Sequence, residues 1–168
     1  SSLGSVDDSA KALDQLPVLQ VRSESVPRYS RDEFGQRWAD VDRNGCDTRN
    51  DILRWDLRSL QMKTSSPNCV VVGGILDDPY TGRTIEFRKG EDSSDQVQID
   101  HVVALANAWR SGAWQWDATR RQEFANDPTN LLAVDGNANQ DKGASRTDQW
   151  LPANARYRCA YVQRQIVV

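Results

Sequence analysis

The chain has 168 residues, 38% hydrophobic and 27% charged, with a formal net charge of −3. This length and composition predict one folded domain, and no apolar stretch approaches the length of a membrane-spanning helix. The negative charge argues mildly against a protein that holds nucleic acid by bulk positive charge. However, 17 of the 21 cationic residues are arginines, which fits either phosphate recognition or a GC-rich genome.

Helices are predicted in the first third of the chain. Residues 1–8 are small and acidic, and we expect them to be loose. The segment "SAKALDQLPVL" has apolar residues at helical spacing behind Ser9, a candidate N-cap. In "SRDEFGQRW", Glu33 follows Ser30 by three residues, which is the capping-box pattern of a short helix. "DTRNDILRWDL" predicts a further helix with one apolar face.

The segment "CVVVGGILDDPYTGRTIEF" carries the clearest strand signal, because two apolar runs flank a Pro/Gly turn. "VQIDHVVAL" and "NLLAVD" predict two more strands, separated by two helical pieces that break near Gly112. "GNANQDKG" begins a helix, and "ARYRCAYVQRQIVV" predicts a terminal one. Because strand and helix do not alternate regularly, the order predicts an α+β fold.

Three cysteines are present, Cys46, Cys69 and Cys159. They form no C-x-x-C pair, and a single histidine cannot complete an ordinary Cys/His zinc site. A Cys46–Cys69 disulfide would stabilise the fold by roughly 3 kcal/mol in the chain-entropy model. Cys159 would then be a buried free thiol, unless the cysteines pair differently.

The only histidine, His101, stands beside Asp100 in an apolar run. Asn130 begins the next predicted strand, and Asn139 lies in the helix that follows. A neutral imidazole suits a general base near pH 7, and the Asp100 and Asn139 oxygens suit Mg²⁺, Mn²⁺ or Ca²⁺. Strand, strand and helix with His, Asn and Asn in this order form the pattern of a ββα-metal site.

The chain resembles the HNH endonucleases, specifically the secreted actinobacterial-type branch of the domain known as DUF1524. The blocks "DHVVALANAWRSGA", "NDPTNLLAVDGNANQDKG" and "WLP" carry the resemblance, together with "CDTRNDIL" and "DPYTGRTIEF" upstream. It covers roughly residues 28–162. It implies a single nuclease domain over 1–168, with a ββα-metal core at about 97–145, an upstream β-hairpin and surrounding helices.

The resemblance also implies a role for each site residue. The residues matching Asp100 and Asn139 hold one divalent metal ion, with Mg²⁺ expected first and Mn²⁺ or Ca²⁺ as alternatives. The residue matching His101 is the general base for an attacking water. The residue matching Asn130 holds the loop between the strands so that the imidazole faces the phosphate. Release of the 3′ oxygen would leave 5′-phosphate ends.

One difficulty concerns Asp100 and His101, because adjacent strand residues point to opposite faces. A local twist or bulge would bring both to one site, and the ββα-metal fold does so by placing the pair at the end of the strand.

Three cations are candidates for substrate binding: Arg49, Arg110 and Lys142. Arg49 could instead pair with Asp47 or Asp51, and the other two could be solvated charges. Other residues have similar alternatives. Glu86 could be an extra metal ligand but fits a solvent-facing strand position better. The tryptophans Trp109, Trp114 and Trp116 could stack on bases but fit core packing better.

The sequence thus predicts a secreted, metal-dependent endonuclease that cuts DNA with little sequence preference, with RNA as an alternative substrate. No separate DNA-reading module is recognisable. The alternatives are a nucleic-acid-binding protein of the same fold without catalysis, and a toxin-like effector nuclease. Neither membrane association nor an obligate protein partner is expected. Secretion is inferred from the mature-looking start, the expected disulfide and the family branch.

Overall fold

Two small antiparallel sheets and five α-helices make up residues 25–90 and 95–168, which this computed structural model describes. The predicted helix behind Ser9 and the expected loose residues 1–8 lie outside these ranges. The helices are α1 (Thr48–Asp56), α2 (Leu105–Arg110), α3 (Ala118–Ala125), α4 (Gly136–Lys142) and α5 (Arg158–Val167). The strands are β1 (Arg58–Met62), β2 (Val71–Asp77), β3 (Thr84–Arg88), β4 (Val97–His101) and β5 (Leu131–Asp135).

The first sheet has the order β1-β2-β3 and contains the predicted hairpin, β2 with β3, in regular antiparallel register. Strand β1 was not predicted. Its sequence RSLQM is mostly exposed and polar, so it lacks an apolar alternation that would indicate a strand. It joins the sheet by antiparallel pairing to β2 with register irregularities.

The second sheet consists of β4 and β5, which pair antiparallel with His101 opposite Leu131 and Asp100 opposite Leu132. Helix α4 follows β5 without an intervening loop. Strand, strand and helix are therefore adjacent, as the sequence pattern predicted, and the α+β class is confirmed.

Helix α1 packs between the two sheets. Asp47 caps the helix by accepting a hydrogen bond from the backbone N–H of Asn50 at 2.7 Å. The buried face contributes Ile52 and Leu53 to a core shared with both sheets, including Phe87 of β3 and Leu131 of β5. This core fixes the second sheet against the first and so fixes the end of β4.

The capping box predicted at Ser30 does not form. Ser30 has an extended backbone and its side chain makes no capping hydrogen bond, and Arg31–Phe34 is a single 3₁₀ turn ending at Gly35. A φ of +76° at Gly35 ends the turn, because a right-handed helix needs negative φ, and glycine adopts positive φ more readily than other residues. The buried ring of Phe34 still anchors this turn in a second core with Trp109 and Ala125.

Cys46 and Cys69 form a disulfide, as predicted. It joins the loop before α1 to the loop before β2. Cys159 is a free thiol but is exposed on α5, so the expectation of a buried thiol was wrong. None of the described helices has the length and apolar character needed to span a bilayer.

Candidate active site

A cleft of about 360 Å³ lies where β4 ends, and its lining includes Asp100, His101 and Asn139. The structure therefore brings together the predicted base and both predicted metal ligands. Two larger clefts, of about 590 Å³ and 770 Å³, have none of these three residues in their lining.

The imidazole of His101 is held on two sides. Its Nε2 lies 2.8 Å from the backbone carbonyl oxygen of Ala125, at the end of α3. Its ring stacks on the indole of Trp38, with 5.9 Å between ring centroids and 7° between planes. A carbonyl can only accept a hydrogen bond, so Nε2 carries the proton and Nδ1 is the nitrogen with a free lone pair.

Burial is the main cause that lowers the pKa of His101, to about 4, and the positive charge of Arg31 acts in the same direction. The hydrogen bond to Ala125 opposes this shift. The imidazole is consequently neutral near pH 7, which is the form that can accept a proton.

The carboxylate of Asp100 is buried in a polar network. Its Oδ2 accepts hydrogen bonds from Lys142 Nζ at 2.7 Å and from the Tyr80 hydroxyl at 2.5 Å. Lys142 Nζ also donates to the His101 carbonyl oxygen at 2.8 Å. Burial raises the pKa of Asp100, while the ammonium of Lys142 opposes that rise. Lys142 thus neutralises a charge that would otherwise be costly to bury.

Tyr80 reaches Asp100 because of the turn in the β2–β3 hairpin. Asp78 holds that turn, since its carboxylate accepts hydrogen bonds from the backbone N–H groups of Tyr80 and Thr81 at 3.2 and 2.9 Å. The same carboxylate accepts from the N–H of Asp135 at 3.0 Å, which joins the turn to the second sheet. The β2–β3 hairpin thereby supplies a hydrogen bond to the Asp100 carboxylate.

Asn130 lies behind the cleft and is fully buried. Its Oδ1 accepts from the Val103 N–H at 2.7 Å, and its Nδ2 donates to the Val103 carbonyl at 3.0 Å. Its own carbonyl accepts from the Val102 N–H at 2.9 Å. The side chain therefore holds the backbone that follows His101, which is the contact that a positioning role requires.

Helix α4 carries Asn139 into the cleft. Asp135 caps the start of the helix, since its side chain accepts from the Ala138 N–H at 2.9 Å. Gly136 allows close packing, because a Cβ there would lie 2.1 Å from the Asp95 carbonyl oxygen. Asn139 Nδ2 donates to Gln98 Oε1 on β4 at 2.9 Å, which orients the amide.

Asp100 and His101 reach one cleft without a bulge. Their pairing with β5 stays in register up to His101, the last residue of β4. The two side chains leave in different directions, Asp100 toward Tyr80 and Lys142, and His101 toward Trp38 and Ala125. The cleft borders both because it lies at the end of the strand.

The donor set fits a hard divalent cation. Asp100 Oδ1 and Asn139 Oδ1 accept no hydrogen bond from the residues of 25–90 and 95–168, since the Asp100 bonds use Oδ2 and the Asn139 bond uses Nδ2. Two oxygens with water completing the shell suit Mg²⁺, which keeps several waters. In the same ranges, no group of three or more His, Cys, Asp or Glu side chains could hold a metal ion.

The predicted substrate cations are placed differently from what was expected. Arg49 and Arg110 do not line the cleft. Arg49 has Asp47 and Asp95 as charged neighbours, so its predicted pairing with Asp47 is the closer interpretation. Lys142 is neither a surface cation nor a solvated one, because its side chain is 0% exposed and is paired with Asp100.

Four residues that line the cleft were not predicted as site residues from the sequence: Tyr29, Arg31, Arg37 and Trp38. The signal that could have indicated them is the alternation of aromatic and arginine residues in "YSRDEFGQRW", which is typical of nucleic-acid-binding surfaces. Trp38 has a φ of +54°, a strained conformation for a bulky residue. Such strain persists where packing enforces it, often at functional sites.

Packing decides between the alternative roles that the sequence left open for three tryptophans and for Glu86. Trp109 is buried in the second core, and Trp114 and Trp116 pack against it, so these rings belong to the core. Glu86 is exposed and pairs with Arg88 at 2.7 Å, away from the cleft, as a solvent-facing strand residue.

Comparison with known proteins identifies the family. Residues 47–168 match the family described as GmrSD restriction endonucleases, C-terminal domain. The chain is also 39% identical over 166 residues to an uncharacterized secreted protein of Arthroderma benhamiae, across 97% of this chain and 76% of that protein. No solved structure matches significantly. Since the match spans well over half of its length, the chain belongs to the GmrSD restriction endonuclease C-terminal domain family, a family of nucleases.

Proposed function

We propose that this protein is a metal-dependent HNH-type endonuclease that hydrolyses phosphodiester bonds in DNA with little sequence preference. The observation that carries the proposal is the state of His101. Its Nε2 is committed to the Ala125 carbonyl at 2.8 Å, so Nδ1 has a free lone pair on a neutral ring beside a cleft. Family membership supports phosphodiester hydrolysis as the reaction.

In this proposal His101 accepts a proton from the attacking water through Nδ1. The Ala125 hydrogen bond and the Trp38 indole keep the ring from rotating, so the lone pair keeps its direction. Asn130 acts through the backbone, because its hydrogen bonds to Val103 hold the chain just after the base. It is a positioning residue, while His101 is the catalytic one.

Asp100 and Asn139 would hold the divalent ion, and Mg²⁺ is the metal that their oxygen donors suit best. When bound, the ion would supply Lewis-acid stabilisation of the leaving oxygen. Lys142 and Tyr80 orient Asp100, a cleft-lining residue, through Oδ2 and leave Oδ1 without a partner among the described residues. Gln98 does the same for Asn139 by accepting from its Nδ2.

We further propose that the protein is secreted. The Arthroderma benhamiae relative is named a secreted protein, and it matches 97% of this chain. The Cys46–Cys69 disulfide agrees with an oxidising compartment, since such bonds are rare where glutathione keeps thiols reduced. The expected partner is the nucleic acid substrate itself.

The decisive experiment incubates the protein with supercoiled plasmid and Mg²⁺, with and without EDTA. Wild-type protein is expected to nick and linearise the plasmid only when the ion is available. The His101→Ala variant should lose at least about two orders of magnitude in rate, as expected for a general base. Arg58→Gln, an exposed residue on β1, is the control that should keep full activity. Cleavage that survives both EDTA and His101→Ala would contradict the mechanism.

One observation favours the binding-only alternative, a protein of the same fold without catalysis. The Lys142 ammonium already neutralises Asp100, so a divalent ion is not needed for charge balance there. That alternative expects duplex binding but no cleavage with Mg²⁺, Mn²⁺ or Ca²⁺.

Parallel incubations with single-stranded RNA separate DNA from RNA as the substrate.

A further inference from the structure

The segment 29–38 forms one wall of the cleft, although it precedes the family region at residues 47–168. Tyr29, Arg31, Arg37 and Trp38 line the same cleft as His101. The family region therefore does not build this site alone.

The wall is held firmly against the family region. Phe34, which lies between Arg31 and Arg37 in the sequence, has a fully buried side chain. The indole N–H of Trp109 donates to the Pro27 carbonyl at 2.7 Å, and Arg121 Nε donates to the Glu33 carbonyl at 2.7 Å. The Thr48 hydroxyl donates to the Ala39 carbonyl at 2.6 Å, just after Trp38. Side chains carried on this wall thus have a defined place relative to His101.

The wall also contributes two arginine side chains, Arg31 and Arg37, to the lining of the cleft. Within residues 25–90 and 95–168, neither Arg31 nor Arg37 forms an ion pair, whereas other arginines do: Arg54, Arg58, Arg83, Arg121 and Arg146. Arg31 makes one long contact, from Nη1 to the Gly35 carbonyl at 3.4 Å. The segment also contains Asp32, whose charge partly offsets that of Arg31, and Glu33, which pairs with Arg121 at 3.6 Å, but neither carboxylate lines the cleft.

The two charges act on each other and on the base. Burial, followed by the repulsion from Arg37, lowers the pKa of the Arg31 guanidinium from its ordinary value. Both arginines also oppose protonation of His101. Two like charges beside one cleft are unfavourable in isolation, and a bound anion would relieve the repulsion. The guanidinium fork matches a phosphate group in geometry.

We propose that Arg31 and Arg37 bind the phosphates of the nucleic acid backbone next to the bond being cut, so that segment 29–38 is the substrate-binding wall of the site. This proposal rests on the proposed nuclease function and names the residues that hold its substrate. In this proposal Arg31 and Arg37 take the substrate-binding role that the sequence predicted for Arg49 and Arg110, neither of which lines the cleft. Phosphate contacts carry no base information, which agrees with little sequence preference.

The test measures binding of a fluorescein-labelled DNA duplex by anisotropy, in the His101→Ala background so that the probe stays intact. Arg31→Gln/Arg37→Gln is expected to weaken binding on the order of tenfold at low salt. The slope of log affinity against log salt should decrease by about one for each lost phosphate contact. Arg31→Lys/Arg37→Lys should recover part of the affinity, because it keeps the charge but not the fork.

The matched control is Arg58→Gln, which removes one exposed arginine from β1. It should leave both the affinity and the salt slope unchanged. Thermal unfolding of every variant checks the fold, and the lysine variant replaces the glutamine variant if the latter unfolds early.

Two outcomes would overturn the inference in distinguishable ways. If the His101→Ala protein binds the duplex and the double glutamine variant binds equally well with the same salt slope, the wall does not hold the substrate, while the proposed function stands. If the wild-type protein neither binds duplex nor cuts plasmid, the proposed function fails, and the inference fails with it.

Discussion

At the scale of single residues, the proposed roles rest on side chains that make hydrogen bonds to the described residues through one polar atom and leave another for the proposed chemistry. His101 uses Nε2 for support and keeps Nδ1 free. Asp100 uses Oδ2 and Asn139 uses Nδ2, and neither Oδ1 accepts a hydrogen bond from residues 25–90 or 95–168. Each functional atom is therefore oriented by a hydrogen bond made through a different atom of the same side chain.

Asn130 offers a test of positioning. Asn130→Ala leaves the Val103 N–H and carbonyl without their side-chain partner, which should lower the free energy of unfolding by about 1–3 kcal/mol. Asn130→Asp should cost at least as much, because it removes the donor to the Val103 carbonyl and buries a carboxylate without a cation. Urea unfolding measures both. If the alanine variant is as stable as wild type, the hydrogen bonds do not hold this backbone.

Lys142 offers a test of the buried ion pair. Lys142→Met leaves the Asp100 carboxylate buried without its cation, and the expected loss of stability is about 3–5 kcal/mol. The control is Arg146→Met, which breaks an exposed pair with Asp148 and should cost under about 1 kcal/mol. Chemical denaturation of the two variants side by side gives the comparison. Equal losses would show that burial does not strengthen the Lys142 pair.

At the scale of elements, the close packing of α4 on β4 places Asn139 and Lys142. Gly136→Ala should push the start of α4 away from the Asp95 carbonyl, because a Cβ would lie 2.1 Å from that oxygen. We expect a loss of about 1–3 kcal/mol in stability and a clear drop in plasmid cleavage.

The control for Gly136→Ala is Gln140→Ala, which places the same side chain at an exposed position of the same helix. It should be neutral or slightly stabilising, since alanine favours helix. Thermal unfolding and cleavage rate are measured for both. A Gly136→Ala protein with wild-type stability would mean that the helix can shift without cost.

At the scale of the whole molecule, the Cys46–Cys69 disulfide joins two loops 23 residues apart in the chain. The Cys46→Ser/Cys69→Ser variant should be less stable by about 3 kcal/mol, and its Tm should fall by about 6–12 °C. Cys159→Ser should leave the Tm unchanged, since that thiol is free and exposed. Reductant should lower the wild-type Tm to that of the double variant, and a reductant-insensitive Tm would contradict the prediction.

The hairpin, β4, β5 and α4 could be predicted because each has a local signal in the chain: apolar runs, a Pro/Gly turn, or a cap. Strand β1 could not, and the short helix predicted at Ser30 forms only as the 3₁₀ turn Arg31–Phe34, without the capping box. β1 is mostly exposed and is a strand only because β2 offers it backbone partners. The capping box at Ser30 did not form, since the Glu33 N–H donates to the Ser30 carbonyl at 3.2 Å and not to its side chain.

By itself, the sequence predicted which residues are candidates for the chemistry, namely one imidazole beside a carboxylate, with two asparagines following in order. It also determined the α+β class, since strand and helix signals are local. Only the tertiary structure decided that Lys142 neutralises Asp100 from 42 residues away, that Tyr80 reaches the same carboxylate, and that Trp38 stacks on His101. Such contacts depend on how distant elements pack, and no local pattern of residues encodes that packing.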